Sequence, residues 1–209
     1  IRKCISCLTG CWQEALLAKK EIGCAINPAC GDLRFADMKK TENPLRVAIV
    51  GGGPAGMEAA RIAAVRGHKP TIFEKTDELG GAILGCCMVP GKEKMKWYAD
   101  WLRYEIKDLS VAVKYCHPPN IAELKEYDIV LNATGAGSYV PDVHGLTDTV
   151  IPFEEVIACP KRGCEFYPAG DRKNRKVGER VLIWGDHYAA ADTVTFLAAA
   201  GKDVTKEKR

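Results

Sequence analysis

Nothing in the sequence approaches the ~20 consecutive apolar residues that a membrane-spanning helix requires, and no basic, apolar, small-residue segment opens it. Neither a membrane partner nor a secretory route is therefore expected. Charge of one sign is also missing: 30 Lys and Arg against 27 Asp and Glu leave a net +3, so there is no electrostatic case for nucleic acid. Low-complexity tracts are absent, and 47% hydrophobic with 27% charged residues fits an ordinary globular chain. Histidine is scarce, at four residues. His68, His117 and His144 have no serine or carboxylate partner that spacing would identify, so no hydrolytic arrangement can be assembled and the catalytic residues stay unknown.

Cysteine, by contrast, is plentiful, with ten among 209 residues. A secreted disulfide scaffold would be shorter and poorer in apolar strands, so a reducing, cytoplasmic setting is expected. Cys116 reads as a buried thiol. Cys4, Cys7, Cys11 and Cys24 are different: their spacing, C-x2-C-x3-C-x12-C, lets three thiolates from one turn and a fourth from a nearby segment converge on a small centre. An iron–sulfur cluster, with [4Fe–4S] favoured over [2Fe–2S], uses such a set. Zinc normally pairs two short knuckles, and a redox C-x-x-C would leave Cys11 and Cys24 without a task. The roles of Cys30, Cys86, Cys87, Cys159 and Cys164 stay open; for the adjacent Cys86 and Cys87, packing is the default, because neighbours rarely form a relaxed disulfide.

The chain divides by texture. Residues 1–31 form a cysteine-rich segment with a helical stretch at Gln13–Glu21, and the polar, aperiodic residues 32–45 form a connector. From residue 46 an apolar strand, a glycine turn, a helix from Ala55 to Val65 and a second strand ending at Glu74 make a βαβ unit. A helix is expected over Lys92–Leu109, with Met95, Tyr98, Trp101, Leu102 and Leu109 as its packing stripe. Strands follow at Val111–Tyr115 and Asp128–Asn132. Residues 158–180 read as a basic solvated loop. Residues 181–209 repeat the strand–glycine–helix opening. The fold expected is α/β, a Rossmann-like, three-layer domain binding FAD or NAD(P), preceded by the cluster segment.

Gly51, Gly53 and Gly56 form G-x-G-x-x-G within Gly51-Gly52-Gly53-Pro54-Ala55-Gly56. The first glycine permits a tight turn, the second a close approach to pyrophosphate, and the third close packing of helix on strand. The helix N-terminus presents N–H groups and a partial positive charge to phosphate. Glu74, about 20 residues further on, stands where a ribose acceptor belongs. An acid there favours a free ribose hydroxyl over a 2′-phosphate, an argument that Lys75 beside it softens. Leu79-Gly80-Gly81 and Ala133-Thr134-Gly135 are further glycine turns with room for a ligand.

Cys4-Ile5-Ser6-Cys7-Leu8-Thr9-Gly10-Cys11, then Cys24-Ala25-Ile26-Asn27-Pro28, the glycine turn, Glu78-Leu79-Gly80-Gly81, Val89-Pro90-Gly91-Lys92-Glu93 and Ala133-Thr134-Gly135 occur in an order that resembles the iron–sulfur members of the old yellow enzyme group. That group includes 2,4-dienoyl-CoA reductase, 2-enoate reductase and trimethylamine dehydrogenase. The resemblance covers nearly the whole chain. It implies an upstream FMN-bearing (β/α)8 barrel in the same polypeptide, then the cluster, then a glutathione-reductase-like flavin domain and a nicotinamide domain. By matching position, Cys4, Cys7, Cys11 and Cys24 would ligate the [4Fe–4S] cluster. Gly51, Gly53 and Gly56 would hold the pyrophosphate of FAD, Glu74 its ribose and Pro119 its adenine. Gly80 and Gly81 would border the flavin, and Thr134 and Gly135 would close over it. NAD(P)H would be the electron donor and an activated C=C bond, reduced at the FMN, the acceptor. Homo-oligomerisation of the full-length enzyme is a further expectation. Residues 46–180 would be the FAD or ADP domain and 181–209 the start of the nicotinamide domain, so the chain is expected to be a portion of a larger protein. Two departures stand out. The barrel lies outside this sequence, and Gly185-Asp186-His187-Tyr188-Ala189-Ala190 keeps only the first of three glycines. The alternative is therefore a structural ADP, as in trimethylamine dehydrogenase, with the cluster passing electrons to an electron-transfer flavoprotein.

Overall fold

A computed structural model of the chain describes residues 1–35, 37–137, 150–157 and 177–207. Of the basic loop expected over 158–180, residues 158–176, with Cys159 and Cys164, lie outside the described residues, as does His144, and its last residue, Arg180, already belongs to a strand.

The centre is a four-stranded parallel sheet in the order β3-β2-β1-β4, with β1 Arg46–Val50, β2 Lys69–Phe73, β3 Ala112–Lys114 and β4 Ile129–Asn132. This is the order of the first half of a doubly wound fold, in which the direction of strand addition reverses beside β1. β1 has a strand on each side, so Val47, Ala48 and Ile49 are buried and the run is continuously apolar rather than alternating. Helix α1, Pro54–Val65, follows the glycine turn and packs Met57 and Ala60 into the core. It ends in a Schellman turn, with the His68 N–H on the Ala63 carbonyl and the Gly67 N–H on that of Ala64. The short α2, Ile83–Cys86, leads to α3, Met95–Asp108, which begins three residues later than expected. The seam of α3 runs through Tyr98, Ala99, Leu102 and Ile106. Trp101 instead stands at its edge, stacked on Tyr98 at 6.1 Å, and Met95 and Leu109 are half-buried. Each fully buried side chain of this kind contributes ~1.5–3 kcal/mol, so the Leu102 and Ile106 contacts hold α3 more firmly than its exposed ion pairs do.

The N-terminal segment shares this core. Ile26 is buried with Val47, Met57 and Tyr98, and Ile5 and Cys24 pack against the same cluster. The expected helix at Gln13–Glu21 is instead a π-helix over Thr9–Leu17. Leu8, in a left-handed conformation, starts it inside the cysteine loop. It ends at Leu17, with Ala18 as its C-cap and the left-handed Lys19 after it, so residues 18–21 fall outside.

A short α4, Ile121–Leu124, precedes β4 and α5 spans Phe153–Val156. Ile129, Val130 and Leu131 of β4 are 40%, 45% and 39% exposed, so neither face of this apolar strand is fully covered. A groove of about 510 Å3 runs between it and α1, lined by Phe35, Val47, Ala59, Ile62 and Leu131 among others. The last described unit pairs β5, Arg180–Trp184, in parallel with β6, Asp203–Glu207, through α6, Tyr188–Ala199. Ile183, Ala190 and Leu197 are its core. Lys92 Nζ bonds Asp192 Oδ2 of α6 at 2.5 Å, linking it to the loop before α3. Among the described residues no helix is long and apolar enough to cross a membrane.

Candidate functional site

The glycine turn lies at the carboxyl end of β1, beside the point where strand order reverses, the place at which open α/β sheets bind ligands. Gly51, at φ +111°, donates its N–H to the Phe73 carbonyl at 2.8 Å. A Cβ on it would lie 2.3 Å from the Ala133 carbonyl, so only glycine lets the end of β4 close against β1 here. The third glycine is used as expected. A Cβ on Gly56 would stand 1.9 Å from the Gly51 carbonyl, so its absence sets the distance between α1 and β1. Gly53 differs from both. Among the described residues a Cβ there would meet only the Gly81 Cα at 3.9 Å, which leaves space in front of the turn. Pro54 opens α1, its missing N–H one that the first turn could not have paired, and the exposed Ala55 follows. The remaining first-turn amides face that space with the positive end of the helix.

Glu74 is the buried acid of the site, at 5% exposure. Its Oε2 accepts the Gly52 N–H at 2.7 Å, and its Oε1 accepts both the N–H and the hydroxyl of Thr76 at 2.8 Å. The Gly52 carbonyl accepts the Gly80 N–H at 2.8 Å, so the first glycine turn is held from both sides. A Cβ on Gly81 would come within 2.9 Å of the Gly53 Cα, which brings the Gly80–Gly81 turn directly over the cradle. Arg103 anchors that turn from α3, with its guanidinium on the Leu79 carbonyl and on Glu78 Oε1. On the opposite rim, Thr134 donates its N–H and hydroxyl to Asn132 Oδ1 at 3.2 and 2.9 Å, and Gly135 follows at φ +81°. Lys75 is exposed beyond Glu74.

The stretch that leads to Pro119 runs beside Glu74. Cys116 N–H bonds the Thr76 carbonyl and His117 N–H bonds the Glu74 carbonyl, each at 3.0 Å. His117 Nε2 lies 2.8 Å from Glu123 Oε2, and Lys114 Nζ lies 2.5 Å from Glu123 Oε1. The Lys114 and His117 contacts hold the Glu123 carboxyl below its usual range, and Glu123 in turn raises Lys114. Sequence reasoning missed Thr76, Asn132 and the His117–Glu123 pair. A threonine two residues after the acid was visible, but its aim was not, and Asn120, which caps α4 and so places Glu123, was an available helix-start signal.

Cys4, Cys7 and Cys11 are exposed and Cys24 is half-buried. The two parts of this set are tied together at Gly10, where a Cβ would be 2.4 Å from the Gly23 carbonyl and 2.9 Å from the Cys24 N. The Ser6 N–H already donates to Cys4 Sγ at 3.3 Å. Among the described residues no group of three or more His, Cys, Asp or Glu is gathered closely enough to hold a single metal ion. Four thiols on one pair of touching loops, with an amide directed at sulfur, fit the donor chemistry of an iron–sulfur cluster. Burial pushes the Cys87 thiol up, which suits a packing role. Arg2 fastens the segment to the domain. Its guanidinium lies 3.9 Å from the Trp101 ring centre, bonds the Ile26 carbonyl, and reaches Glu58 Oε1 at 3.4 Å.

Residues 49–102 match the family model described as an NAD(P)-binding Rossmann-like domain. Over 207 residues the chain is 38% identical to a cinnamate reductase of Clostridium sporogenes, covering 98% of this chain and 29% of that one. A NADH oxidase of Thermoanaerobacter brockii is 33% identical, again over 98% of this chain and 31% of its own length. A solved structure of 2-naphthoyl-CoA reductase superposes at a TM-score of 0.83 with 27% identity, covering 97% of this chain and 29% of that one. The chain belongs to the iron–sulfur old yellow enzyme family. It spans about 30% of the length of these family members.

The second glycine opening starts as the first does. Gly185 N–H bonds the Glu207 carbonyl at 3.1 Å, as Gly51 bonds Phe73. The next positions diverge. Asp186 stands where Gly52 stands in the first turn and pairs with Lys206 at 3.2 Å. His187, exposed, is the N-cap where Gly53 caps α1, and Ala190 takes the place of Gly56. An acidic side chain and an imidazole thus occupy the positions that face a pyrophosphate in such a turn.

Proposed function

We propose that the chain is the electron-transfer portion of an iron–sulfur flavoprotein oxidoreductase. In this reading Gly51 to Gly56 hold the pyrophosphate of FAD, Glu74 its ribose and the Pro119 segment its adenine. Gly80, Gly81, Thr134 and Gly135 border it, and Cys4, Cys7, Cys11 and Cys24 carry a [4Fe–4S] cluster. Bound flavin would supply the exchange of paired for single electrons, taken from NAD(P)H and passed through the cluster. An FMN barrel elsewhere in the polypeptide would use them on an activated C=C bond of the enoate or dienoyl-CoA type. Residues 1–31 are then the cluster segment, 32–45 the connector, 46–180 the nucleotide domain and 181–209 the opening of a nicotinamide-binding domain. The proposed setting is the cytoplasm, where free thiols persist, and the full-length enzyme is read as a homo-oligomer.

The observation that carries this reading is the open cradle at Gly53 with a pinned acid beside it, built on the same core as the four-cysteine segment. One measurement tests it: iron, sulfide and released nucleotide in the anaerobically purified full-length protein. Four irons per chain with FAD in addition to FMN is the expected result. Zinc without iron would remove the cluster.

The second opening favours a second reading. With Asp186 and His187 where glycines would admit a pyrophosphate, the first site would hold a structural ADP and the cluster would serve an electron-transfer flavoprotein, without reaction with NAD(P)H. Release of ADP and no FAD would select it.

A further inference from the structure

We propose that Thr76 is a positioning residue for the nucleotide site, locking the Glu74 carboxylate so that Oε2 alone is turned toward a ribose hydroxyl. This rests on the reading that Glu74 meets the ribose of FAD or ADP, and it concerns a residue outside the glycine fingerprint.

The backbone around Glu74 is held by the extension of β3. Glu74 N–H bonds the Lys114 carbonyl at 2.9 Å, His117 N–H bonds the Glu74 carbonyl, and Cys116 N–H bonds the Thr76 carbonyl. Glu74 and Thr76 therefore cannot drift apart along the chain. A carboxylate offers about four lone-pair sites. Thr76 takes both of those on Oε1, through its N–H and its hydroxyl, and Gly52 takes one on Oε2. Among the described residues one site remains open, on the oxygen that already touches the glycine turn. The Thr76 hydroxyl also lies 3.0 Å from the Glu78 carbonyl, but its one proton goes to the charged acceptor at 2.8 Å. Threonine is stiff at χ1, so a β-branched residue with a hydroxyl is the side chain that holds this geometry at low entropic cost. Without the hydroxyl, Oε1 keeps a single partner and the carboxylate can turn, exchanging its open site between two oxygens.

The test is calorimetric binding of ADP and of 2′,3′-dideoxy-ADP to the full-length protein stripped of nucleotide, for the wild type, Thr76→Val and Thr76→Ser. Valine keeps the shape and removes the hydroxyl; serine restores it. Thr76→Val is expected to weaken ADP about tenfold while dideoxy-ADP changes less than twofold, and Thr76→Ser to recover ADP binding. Equal loss of both nucleotides would reduce Thr76 to a loop-stabilising residue and overturn the proposal. So would unchanged ADP binding in the valine variant. A wild type that binds ADP and dideoxy-ADP equally would instead overturn the ribose role of Glu74 on which the proposal stands.

Discussion

The chain builds the same supersecondary opening twice, and the two copies differ in what surrounds them. At the first, β1 lies between two strands with Val47, Ala48 and Ile49 buried, and Gly51 is pressed by Ala133 on one side and by α1 on the other. At the second, β5 pairs with β6 and only Ile183 is buried, while Leu182 and Trp184 are 65% and 46% exposed. A Cβ at Gly185 would meet Ala190 at 3.6 Å, ordinary van der Waals contact among the described residues. The acid also changes place. An acid from the following strand bonds the turn amide in the first, whereas in the second an acid on the turn bonds a lysine of the following strand. A glycine turn binds phosphate only when its neighbours hold it closed and its own side chains stay out of the way, and the first copy meets both conditions.

The two copies differ most in packing at the third glycine position. Gly56→Ala sets a Cβ against the Gly51 carbonyl and is expected to destabilise the β1–α1 region by about 3 kcal/mol. The matching exchange Ala190→Gly should cost α6 only about 1 kcal/mol, the helix propensity difference. Hydrogen exchange of β1–α1 and α6 amides separates the two, and equal losses would refute the difference in packing. Next in size, Glu74→Ala leaves the Gly52 N–H without its partner. It should lower the local stability of the turn by about 2 kcal/mol, read by the same exchange experiment, and weaken ADP by at least tenfold. Asp186→Gly combined with His187→Gly clears the second turn. It should raise NADH affinity about tenfold, measured by titration calorimetry, and no change would mean that those side chains are not the barrier.

A smaller effect is expected from Arg2→Ala, which removes the Trp101 and Glu58 contacts. Amides of residues 24–27 should exchange faster, by about 1 kcal/mol of protection, with β5 and α6 unaffected. The smallest concerns pH and the loop that leads to Pro119. Lys114, and after it His117, holds the folded-state Glu123 carboxyl below its ordinary value. The stabilisation is therefore complete above the ordinary carboxylate range and is lost as pH falls through the depressed value. At the alkaline end the raised Lys114 loses its share only as pH climbs through its own raised value. Protection of residues 114–124 should accordingly fall in acid, and Glu123→Gln should flatten that profile.

Much of this was legible in the residues. The glycine spacing, the apolar strands before and after it, and the acid at the end of β2 located the βαβ unit within two residues, because a buried parallel strand must read as a short apolar run and the tight turn admits little but glycine. The stripe of α3 was read less well. Trp101 has the right spacing but too much bulk and too good a cationic partner in Arg2 to enter the seam, which Ala99 and Ile106 fill instead. The N-terminal helix was misplaced because left-handed Leu8 and Lys19 flank it, which propensity does not reveal.

Residue types and their spacing set which chemistry is available: four thiols in cluster spacing, one complete glycine fingerprint, one incomplete one, and an acid at ribose distance along the chain. How that chemistry is held depends on the fold. The bond from Glu74 to Gly52, its lock by Thr76, the contact of Gly10 with Gly23 and the packing of Ile26 into the nucleotide domain all join residues distant in sequence or directions of side chains. Local patterns specify faces and turns, but a hydrogen bond between two elements exists only once the sheet has set their separation.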